Sequence, residues 1–230
     1  MNITIVANGL FPSGEWVDGL LQQSDRIVCC DGALEKYIEW RRGRTTASDK
    51  QTGVTVVGDG DSLRKGVLEQ AAALGVMVNR VVVSEQDDND LTKATRYALN
   101  ECCGEPPTVS RVDYIGATGL REDHTVGNIS LLAWYMEQYP DVQFRMLSDC
   151  GIFVPMSGHA VFNTHKGQQV SLFSLTPSIP VTTTGLRWPI KERCLDWWWE
   201  GTLNEALGGQ VEVWGGKMVV YLLTGEPPIA

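Results

Sequence analysis

Short apolar runs alternate with amphipathic segments along the first 147 or so residues, and this alternation strongly constrains the fold. The six apolar runs lie at 3–7, 26–31, 54–59, 79–84, 112–116 and 142–147. Their apolar residues are mostly consecutive rather than alternating, which is typical of strands buried on both faces of a parallel sheet. We therefore predict an α/β fold with an open, mostly parallel sheet.

Between these runs, apolar residues recur at the spacing of an amphipathic helix. One stripe is Val67, Leu68, Ala71 and Leu74; a second is Leu91, Ala94, Thr95, Ala98 and Leu99; a third is Val126, Ile129, Leu132, Ala133 and Met136. Such spacing places the apolar side chains on one helix face, which can cover a sheet. The pattern indicates helices that connect parallel strands by right-handed crossovers.

The pattern changes after about residue 150, where the helical stripes fade. Short β-rich runs follow at 159–163, 168–175, 194–199, 210–214 and 217–223, separated by Gly and Pro. This spacing is typical of a small antiparallel sandwich or barrel. We predict two domains, an α/β domain over residues 1–150 and a small all-β sandwich domain over residues 151–230.

Composition excludes several function classes. The chain has 230 residues and a formal net charge of −9, which argues against nucleic-acid partners and an anionic membrane surface. No apolar run reaches the roughly 18 residues that span a bilayer, and the N-terminal residues lack the features of a signal peptide, so we expect a cytoplasmic protein. None of the six cysteines forms a CxxC pair, which favours free, largely buried thiols.

Polar and mostly acidic residues follow four consecutive predicted strands. Asp31 ends the second strand, Asp59 and Asp61 end the third, and the segments 84–94 and 116–128 follow the fourth and fifth. In an open parallel sheet, ligands bind at the carboxyl ends of the strands. We therefore expect these residues to converge on one crevice.

The segment GDGDS (58–62) is the sharpest of these features. In extended backbone, Asp59 and Asp61 would point to the same side and form a hard-oxygen site suited to Mg²⁺. The alternative is a turn followed by an N-cap, with Ser62 capping a helix from about Leu63. The cap alone does not explain Asp59.

Two further loops have both a chemical and a structural interpretation. In EQDDND (85–90), Asn89 or Asp90 could simply cap the next helix, and Lys93 could reach a phosphate or be solvated. In GATGLREDH (116–124), backbone N–H groups and Arg121 could hold phosphate oxygens, or Arg121 could form a surface pair with Asp123. The P-loop, dinucleotide, EF-hand, HExxH and GxSxG motifs are missing.

Four motifs, GDGDS, EQDDNDLTKA, GATGLREDHTVGN and TTTGLRW (182–188), occur in this order over nearly the whole chain. Together they resemble the thiamine pyrophosphokinase family, whose two-part architecture matches the one predicted above. The chain departs from the family pattern at Glu85, Asn89 and Leu203, and the last of these affects the expected thiamine pocket.

The resemblance implies transfer of pyrophosphate from ATP to the hydroxyl of thiamine, giving thiamine diphosphate and AMP, by a homodimer. It makes residues 1–150 the catalytic domain, which binds ATP and Mg²⁺, and residues 151–230 the domain for thiamine binding and dimerisation. The implied catalytic residues are Asp59, Asp61, Gln86 and Asp90, and the implied Mg²⁺ ligands are Asp59, Asp61 and Asp90. The implied ATP-binding residues are Asp31, Ser62, Lys93, Gly119, Arg121, Asp123 and Asn128. The implied thiamine-binding residues are Thr182, Gly185 and Trp188.

Two other functions fit the same residues. One is another Mg²⁺-dependent phosphotransferase or nucleotide hydrolase, and the other is a non-catalytic module that binds a nucleotide or thiamine.

The tryptophans also have structural interpretations. Without the resemblance, Trp188 could be a core aromatic. In the run Trp197–Trp199, strand geometry would put Trp197 and Trp199 on one face and Trp198 on the other, one face in the core and one at a subunit contact.

Overall fold

The computed structural model describes residues 1–42, 44, 53–61, 63–85, 87–100 and 109–225. The chain divides into two compact units, Met1–Glu122 and Asp123–Pro227, which are called the first and the second unit below. The domain boundary near residue 150 stays a prediction.

The first unit is built on a five-stranded parallel sheet. Its strands are β1 (Asn2–Val6), β2 (Arg26–Cys30), β3 (Gly53–Gly58), β4 (Met77–Val82) and β5 (Arg111–Ile115), in the spatial order β4-β3-β2-β1-β5. All the neighbouring strands in this order run parallel. The helices are α1 (Trp16–Gln23), α2 (Ala33–Arg41), α3 (Val67–Ala73) and α4 (Asp90–Asn100). The predicted α/β class with an open parallel sheet is confirmed.

Burial explains why these runs form strands and where the pattern fails. In β1 to β3, consecutive residues such as Val28 and Cys29 are fully buried, as expected for strands covered on both faces. Strand β4 lies at one end of the strand order, and its Met77 and Val82 are exposed. The expectation of burial on both faces is therefore wrong for β4.

The predicted helical stripes are mostly correct. In α4, the stripe residues Leu91, Ala94, Thr95 and Ala98 are buried. In α3, Val67 and Ala71 are buried but Leu68 is exposed. In the long helix α5 (Glu122–Gln138), Ile129, Leu132 and Ala133 are buried whereas Val126 is exposed.

The second unit is dominated by antiparallel strands. They are β6 (Gln143–Ser148), β7 (Gly151–Asn163), β8 (Gln169–Ser174), β9 (Thr182–Thr184), β10 (Asn204–Glu205) and β11 (Gln210–Leu223). Their order is β10-β8-β11-β7-β6, and β9 pairs with β11. The two predicted runs 210–214 and 217–223 form one strand, β11, with an irregularity between Gly215 and Met218. Val170, Leu172, Val211 and Val213 are fully buried members of the hydrophobic core of the second unit.

The prediction of a strand over 194–199 is wrong. A 3-10 helix spans Trp198–Gly201, and Glu200 holds its start because Oε2 accepts the N–H of Trp197 at 2.9 Å. Trp198 turns inward, donates its indole N–H to the carbonyl of Ser174 at 2.9 Å and packs edge-on against Phe173. Trp197 and Trp199 are 69% and 72% exposed.

The cysteines only partly match the expectation. Cys29 and Cys30 are buried free thiols, whereas Cys150 and Cys194 are exposed. Cys102 and Cys103 lie outside the described residues. Among the residues that the structure describes, no helix has the length and apolar character needed to cross a membrane.

Candidate functional site

The buried carboxylate of Asp31 lies where the end of β2 approaches the end of β3. Asp31 follows β2, is 1% exposed, and donates its backbone N–H to the carbonyl of Val57 at 3.1 Å. A Cβ atom on Gly58, the last residue of β3, would lie only 2.6 Å from the Cβ of Asp31. Only glycine permits this approach. The predicted convergence of Asp31 with the GDGDS segment is therefore present in the first unit.

The carboxylate of Asp90, the first residue of α4, interacts electrostatically with the carboxylates of Asp31 and Asp59. Burial raises its pKa above the ordinary aspartate value, and the negative charges of Asp59 and Asp31 raise it further, against the opposing effect of Lys93. The Nζ atom of Lys93 is 3.8 Å from Oδ1 of Asp90, and the lysine side chain is only 3% exposed. The solvated alternative for Lys93 is wrong: three carboxylates and one buried ammonium group share this region.

The backbone of GDGDS is a turn rather than an extended segment. Strand β3 ends at Gly58, Gly60 has a φ of +89°, and the N–H of Asp61 donates to Oδ1 of Asp59 at 3.1 Å. The premise that Asp59 and Asp61 point the same way from extended backbone is wrong. Asp61 is exposed.

The following helix also differs from the expectation. It begins at Val67, with Gly66 at the N-cap and no side-chain cap, so a helix from Leu63 is wrong. Ser62 and Gln86 lie outside the described residues.

The acidic loop before α4 has structural roles as well as chemical ones. Oδ1 of Asn89 accepts the N–H of Thr92 at 2.9 Å, which makes Asn89 the N-cap of α4. Arg96 pairs with Glu85 at 3.0 Å and also with Asp88. Capping therefore accounts for Asn89, and ion pairing accounts for Glu85 and Asp88. Asp90 neither caps the helix nor pairs with Arg96, and it instead interacts electrostatically with Asp31 and Asp59.

The chemistry of this site suits a hard divalent cation. Within the described ranges, no three His, Cys, Asp or Glu side chains already form a metal-binding group. The donors available, however, are carboxylate oxygens, which Mg²⁺ prefers. Burial and, to a smaller extent, the charges of Asp59 and Asp31 raise the pKa of Asp90, and a bound cation would offset both effects.

The glycine-rich loop after β5 carries the other residues assigned to the nucleotide. The N–H of Arg121 donates to the carbonyl of Gly119 at 2.8 Å, and both residues are exposed. Asp123 and Asn128 lie on α5 and are described within the second unit, where Asp123 is exposed and Asn128 is buried.

A cavity of about 370 Å³ in the second unit lies beside Trp188, which is 55% exposed. Leu203 and Asn204 also line it. The side chain of Asn204 forms two hydrogen bonds with the backbone of Trp188. Its Oδ1 accepts the N–H of Trp188 at 3.2 Å, and its Nδ2 donates to the carbonyl of Trp188 at 2.7 Å. The core-aromatic alternative for Trp188 is wrong.

Other residues near Trp188 have mixed roles. The guanidinium of Arg187 lies 5.1 Å from the centre of the Trp188 ring and pairs with Glu205 at 3.3 Å. Thr182 accepts the N–H of Glu192 through its hydroxyl oxygen, and Gly185 has a φ of +77°, but neither lines the cavity. Sequence reasoning missed the positioning by Asn204, because that contact joins residues 16 positions apart.

Family models match most of the chain. The model described as "Thiamin pyrophosphokinase, catalytic domain" matches residues 17–144, and "Thiamin pyrophosphokinase, substrate-binding domain" matches residues 151–221.

Curated relatives have the same family name. The chain is 29% identical over 176 residues to "Thiamine pyrophosphokinase 1" of Oryza sativa subsp. japonica, covering 70% of this chain and 64% of that protein. It is 31% identical over 141 residues to "Thiamine pyrophosphokinase 1" of Arabidopsis thaliana, covering 59% of this chain and 51% of that protein. The chain therefore matches less than two thirds of the length of either relative.

Solved structures share the fold. "Thiamin pyrophosphokinase from Candida albicans" has a TM-score of 0.75 at 19% identity and covers 96% of this chain and 88% of its own. Thiamine pyrophosphokinase from Bacillus subtilis has a TM-score of 0.73 at 20% identity and covers 97% and 99%. With both family models matching in the order that the motifs predict, the chain belongs to the thiamin pyrophosphokinase family.

Proposed function

We propose that the protein transfers pyrophosphate from ATP to the hydroxyl of thiamine, giving thiamine diphosphate and AMP. The observation that carries this proposal is the convergence of Asp31, Asp59 and Asp90 with the buried Lys93 at the strand ends of the first unit. Such a site supplies what phosphoryl-type transfer needs, namely positioning and neutralisation of phosphate charge. Membership of the family supports thiamine as the acceptor.

Mg²⁺ is the cofactor that we propose for this site. Asp59, Asp61 and Asp90 would hold it, and when bound it would neutralise the negative charge of the phosphates. Lys93 adds a fixed positive charge 3.8 Å from Asp90, and Gly119 and Arg121 offer donors to phosphate oxygens. Gln86, Ser62, Asp31, Asp123 and Asn128 keep the supporting roles that the resemblance implies.

The reaction that we propose is attack on the β-phosphorus of ATP. The hydroxyl oxygen of thiamine forms a bond to that phosphorus, the bond from the phosphorus to the bridging oxygen of AMP breaks, and AMP leaves. The hydroxyl proton passes to a carboxylate. Asp61 and Asp90 are the two candidates for this acceptor, as carboxylates beside the bound phosphates.

We place thiamine at the cavity beside Trp188. The exposed indole offers a flat face for a heteroaromatic ring, and Asn204 fixes the backbone of Trp188 in place. Arg187 covers the ring with a positive charge, which disfavours a cation at the indole and therefore favours the neutral pyrimidine over the thiazolium. Thr182 and Gly185 would support this region from β9 and the bend after it. A homodimer in the cytoplasm, without nucleic-acid partners, completes the proposal.

The first experiment measures the products. Purified protein with ATP, Mg²⁺ and thiamine should form AMP and thiamine diphosphate in equal amounts, as quantified by chromatography. Formation of ADP would instead indicate a monophosphate kinase. If a folded sample binds ligand but has no thiamine-dependent turnover, the protein is a binding module.

Two substitutions test the site assignments. Asp61→Asn should lower kcat by at least about 100-fold if the carboxylate binds the metal, whereas Asp141→Asn, an exposed control, should not change it. Trp188→Ala should raise the KM for thiamine by up to roughly tenfold through loss of stacking on the pyrimidine, whereas Trp134→Ala, an exposed tryptophan on α5, should leave it unchanged. Unaltered thiamine kinetics in Trp188→Ala would contradict the pocket assignment.

A further inference from the structure

Arg80 lies on strand β4, at one end of the strand order, and neither the motifs nor the family resemblance assigns it a role. Its guanidinium reaches the turn of the GDGDS segment, because a Cβ atom on Gly60 would lie 3.1 Å from Nη2 of Arg80. Gly60 stands between Asp59 and Asp61, two of the proposed Mg²⁺ ligands. A guanidinium group therefore lies beside the turn that carries these carboxylates.

The pairing of β3 with β4 fixes the position of Arg80. Arg80 is the register partner of Val56 in the parallel ladder, and the N–H of Val83 donates to the carbonyl of Gly58 at 2.9 Å. Hydrogen bonding between the two strands therefore continues up to the start of the turn. Because Arg80 stands level with Val56, its side chain must extend towards the carboxyl end of the strands to reach Gly60.

The glycine at position 60 gives the guanidinium its space. Gly60 has a φ of +89°, a conformation that glycine adopts without strain. A Cβ atom there would approach Arg80 to 3.1 Å, which is closer than the usual contact of about 3.5 Å or more between non-bonded heavy atoms. A larger residue at position 60 would therefore strain the turn and displace the arginine.

The guanidinium of Arg80 has no protein partner within the part of the chain that the structure describes. It forms neither a hydrogen bond nor an ion pair there, and the residue is exposed. The planar fork of N–H donors that a guanidinium carries is therefore available to a ligand. Other arginines of the first unit differ in this respect: Arg44, Arg64, Arg96 and Arg111 pair with Asp18, Glu35, Glu85 and Asp113.

The position of Arg80 suits an anionic ligand with oxygen acceptors. A Mg²⁺ ion held by Asp59 and Asp61 would bring phosphate oxygens to this turn, and a guanidinium binds two such oxygens at once. The structural alternative is a charge that protects the edge of the sheet from pairing with another chain. That alternative accounts for an arginine on β4 and leaves its approach to Gly60 unexplained.

We propose that Arg80 is a further catalytic residue, whose guanidinium donates hydrogen bonds to non-bridging oxygens of the pyrophosphoryl group that leaves ATP. This proposal rests on the proposed function. While the bond from the β-phosphorus to the bridging oxygen of AMP breaks and the bond to the thiamine oxygen forms, negative charge shifts among these oxygens, and a fixed guanidinium stabilises it. The guanidinium stays protonated throughout and exchanges no atom with the substrate.

Kinetics of Arg80→Ala and Arg80→Lys test this role. The alanine variant should melt like the wild type, because the side chain is exposed and unpaired in the described part of the chain, but its kcat/KM for ATP should fall at least about 100-fold. The lysine variant should recover only part of this loss, because an ammonium group cannot bind two oxygens in one plane. Arg26→Ala, an exposed arginine at the start of β2, is the matched control and should be unchanged.

Added guanidinium chloride at sub-denaturing concentration separates a chemical role from a structural one. It should restore part of the activity of Arg80→Ala and should not stimulate the wild type or Arg26→Ala. A variant that is inactive because its turn is distorted would not be rescued, and that outcome would overturn the proposal.

Binding measurements test Arg80 without turnover. Titration calorimetry with inorganic tripolyphosphate and Mg²⁺ should give an affinity roughly tenfold lower for Arg80→Ala than for the wild type and Arg26→Ala. Mg²⁺ alone should bind all three proteins equally, because a guanidinium is not a metal ligand. Weaker binding of Mg²⁺ alone by Arg80→Ala would mean that the carboxylate turn is damaged, and would overturn the proposal. Normal kinetics with lower solubility would assign Arg80 to protection of the sheet edge and overturn it too.

Failure of the proposed function has a different signature. A wild type that binds tripolyphosphate in an Arg80-dependent way but forms no thiamine diphosphate would contradict the proposed reaction and leave Arg80 as a phosphate-binding residue. Thiamine diphosphate formation at the wild-type rate by Arg80→Ala would contradict the role of Arg80 alone.

Discussion

At the scale of single residues, the charge on Asp90 depends on its neighbours. Burial raises its pKa, Lys93 opposes the rise, and Asp59 and Asp31 add to it. Replacement of Asp59 by asparagine removes one of these negative charges but keeps a side-chain oxygen to accept the N–H of Asp61. We therefore expect Asp59→Asn to lower the pKa of Asp90, as measured by a carboxyl-detected NMR titration without metal.

The same variant makes a prediction about stability. A raised carboxylate pKa means that ionisation is disfavoured in the folded state, so the penalty is absent below the unfolded pKa of about 3.9 and complete above the folded pKa. Asp59→Asn should therefore raise the free energy of unfolding at pH 7 and not at pH 3. The gain should stay below about 1 kcal/mol, because solvent screens these partly exposed groups. Asp141→Asn is the control, and an equal gain at both pH values would contradict the electrostatic explanation.

At the scale of secondary-structure elements, the start of α4 depends on a single cap. Oδ1 of Asn89 accepts the N–H of Thr92. Asn89→Ala removes this acceptor and should lower the free energy of unfolding by about 1 kcal/mol, as measured by urea denaturation. Asn89→Asp, which keeps an acceptor, should retain most of the stability. An alanine variant as stable as the wild type would show that α4 begins without this cap.

We expect the start of the 3-10 helix in the second unit, Trp198–Gly201, to depend on pH. Hydrogen bonds from the backbone N–H of Trp197 and from Arg193 lower the pKa of Glu200 below its ordinary value of 4.5. A lowered acid pKa contributes stability above the unfolded pKa, and that contribution is lost as the pH falls through the folded pKa. Glu200→Gln should therefore lower the melting temperature at pH 7 and have a smaller effect once the pH is well below 4.5. An identical effect at both pH values would mean that the negative charge of Glu200 does not stabilise the 3-10 helix.

At the scale of the whole molecule, the exposed tryptophans bear on assembly. The family resemblance implies a homodimer, and Trp197 and Trp199 leave a large apolar surface facing solvent in the single chain. We expect the wild type to sediment as a dimer and the double variant Trp197→Ser, Trp199→Ser to shift towards the monomer. Trp134→Ser is the matched control. A double variant that remains fully dimeric would place the interface elsewhere.

Much of the fold and part of the candidate site follow from local sequence signals. The parallel strands, the buried stripe of α4 and the acidic strand ends all rest on periodicity or on residue type. The motif order was enough to identify the family, which the family models confirm. These features are local, because a strand buried on both faces must be apolar wherever it lies in the chain.

Other features depended on contacts that no local pattern encodes. The single strand β11 is held by its pairing with β7 and β8, and the indole of Trp198 is turned inward by its hydrogen bond to the carbonyl of Ser174. Asn204 reaches Trp188, and Leu10 packs against Gly119, across long stretches of chain. The sequence by itself determined which residues could be buried and which could carry charge. Only the tertiary structure decided which of them meet, because backbone hydrogen bonds and close packing between distant segments set those distances.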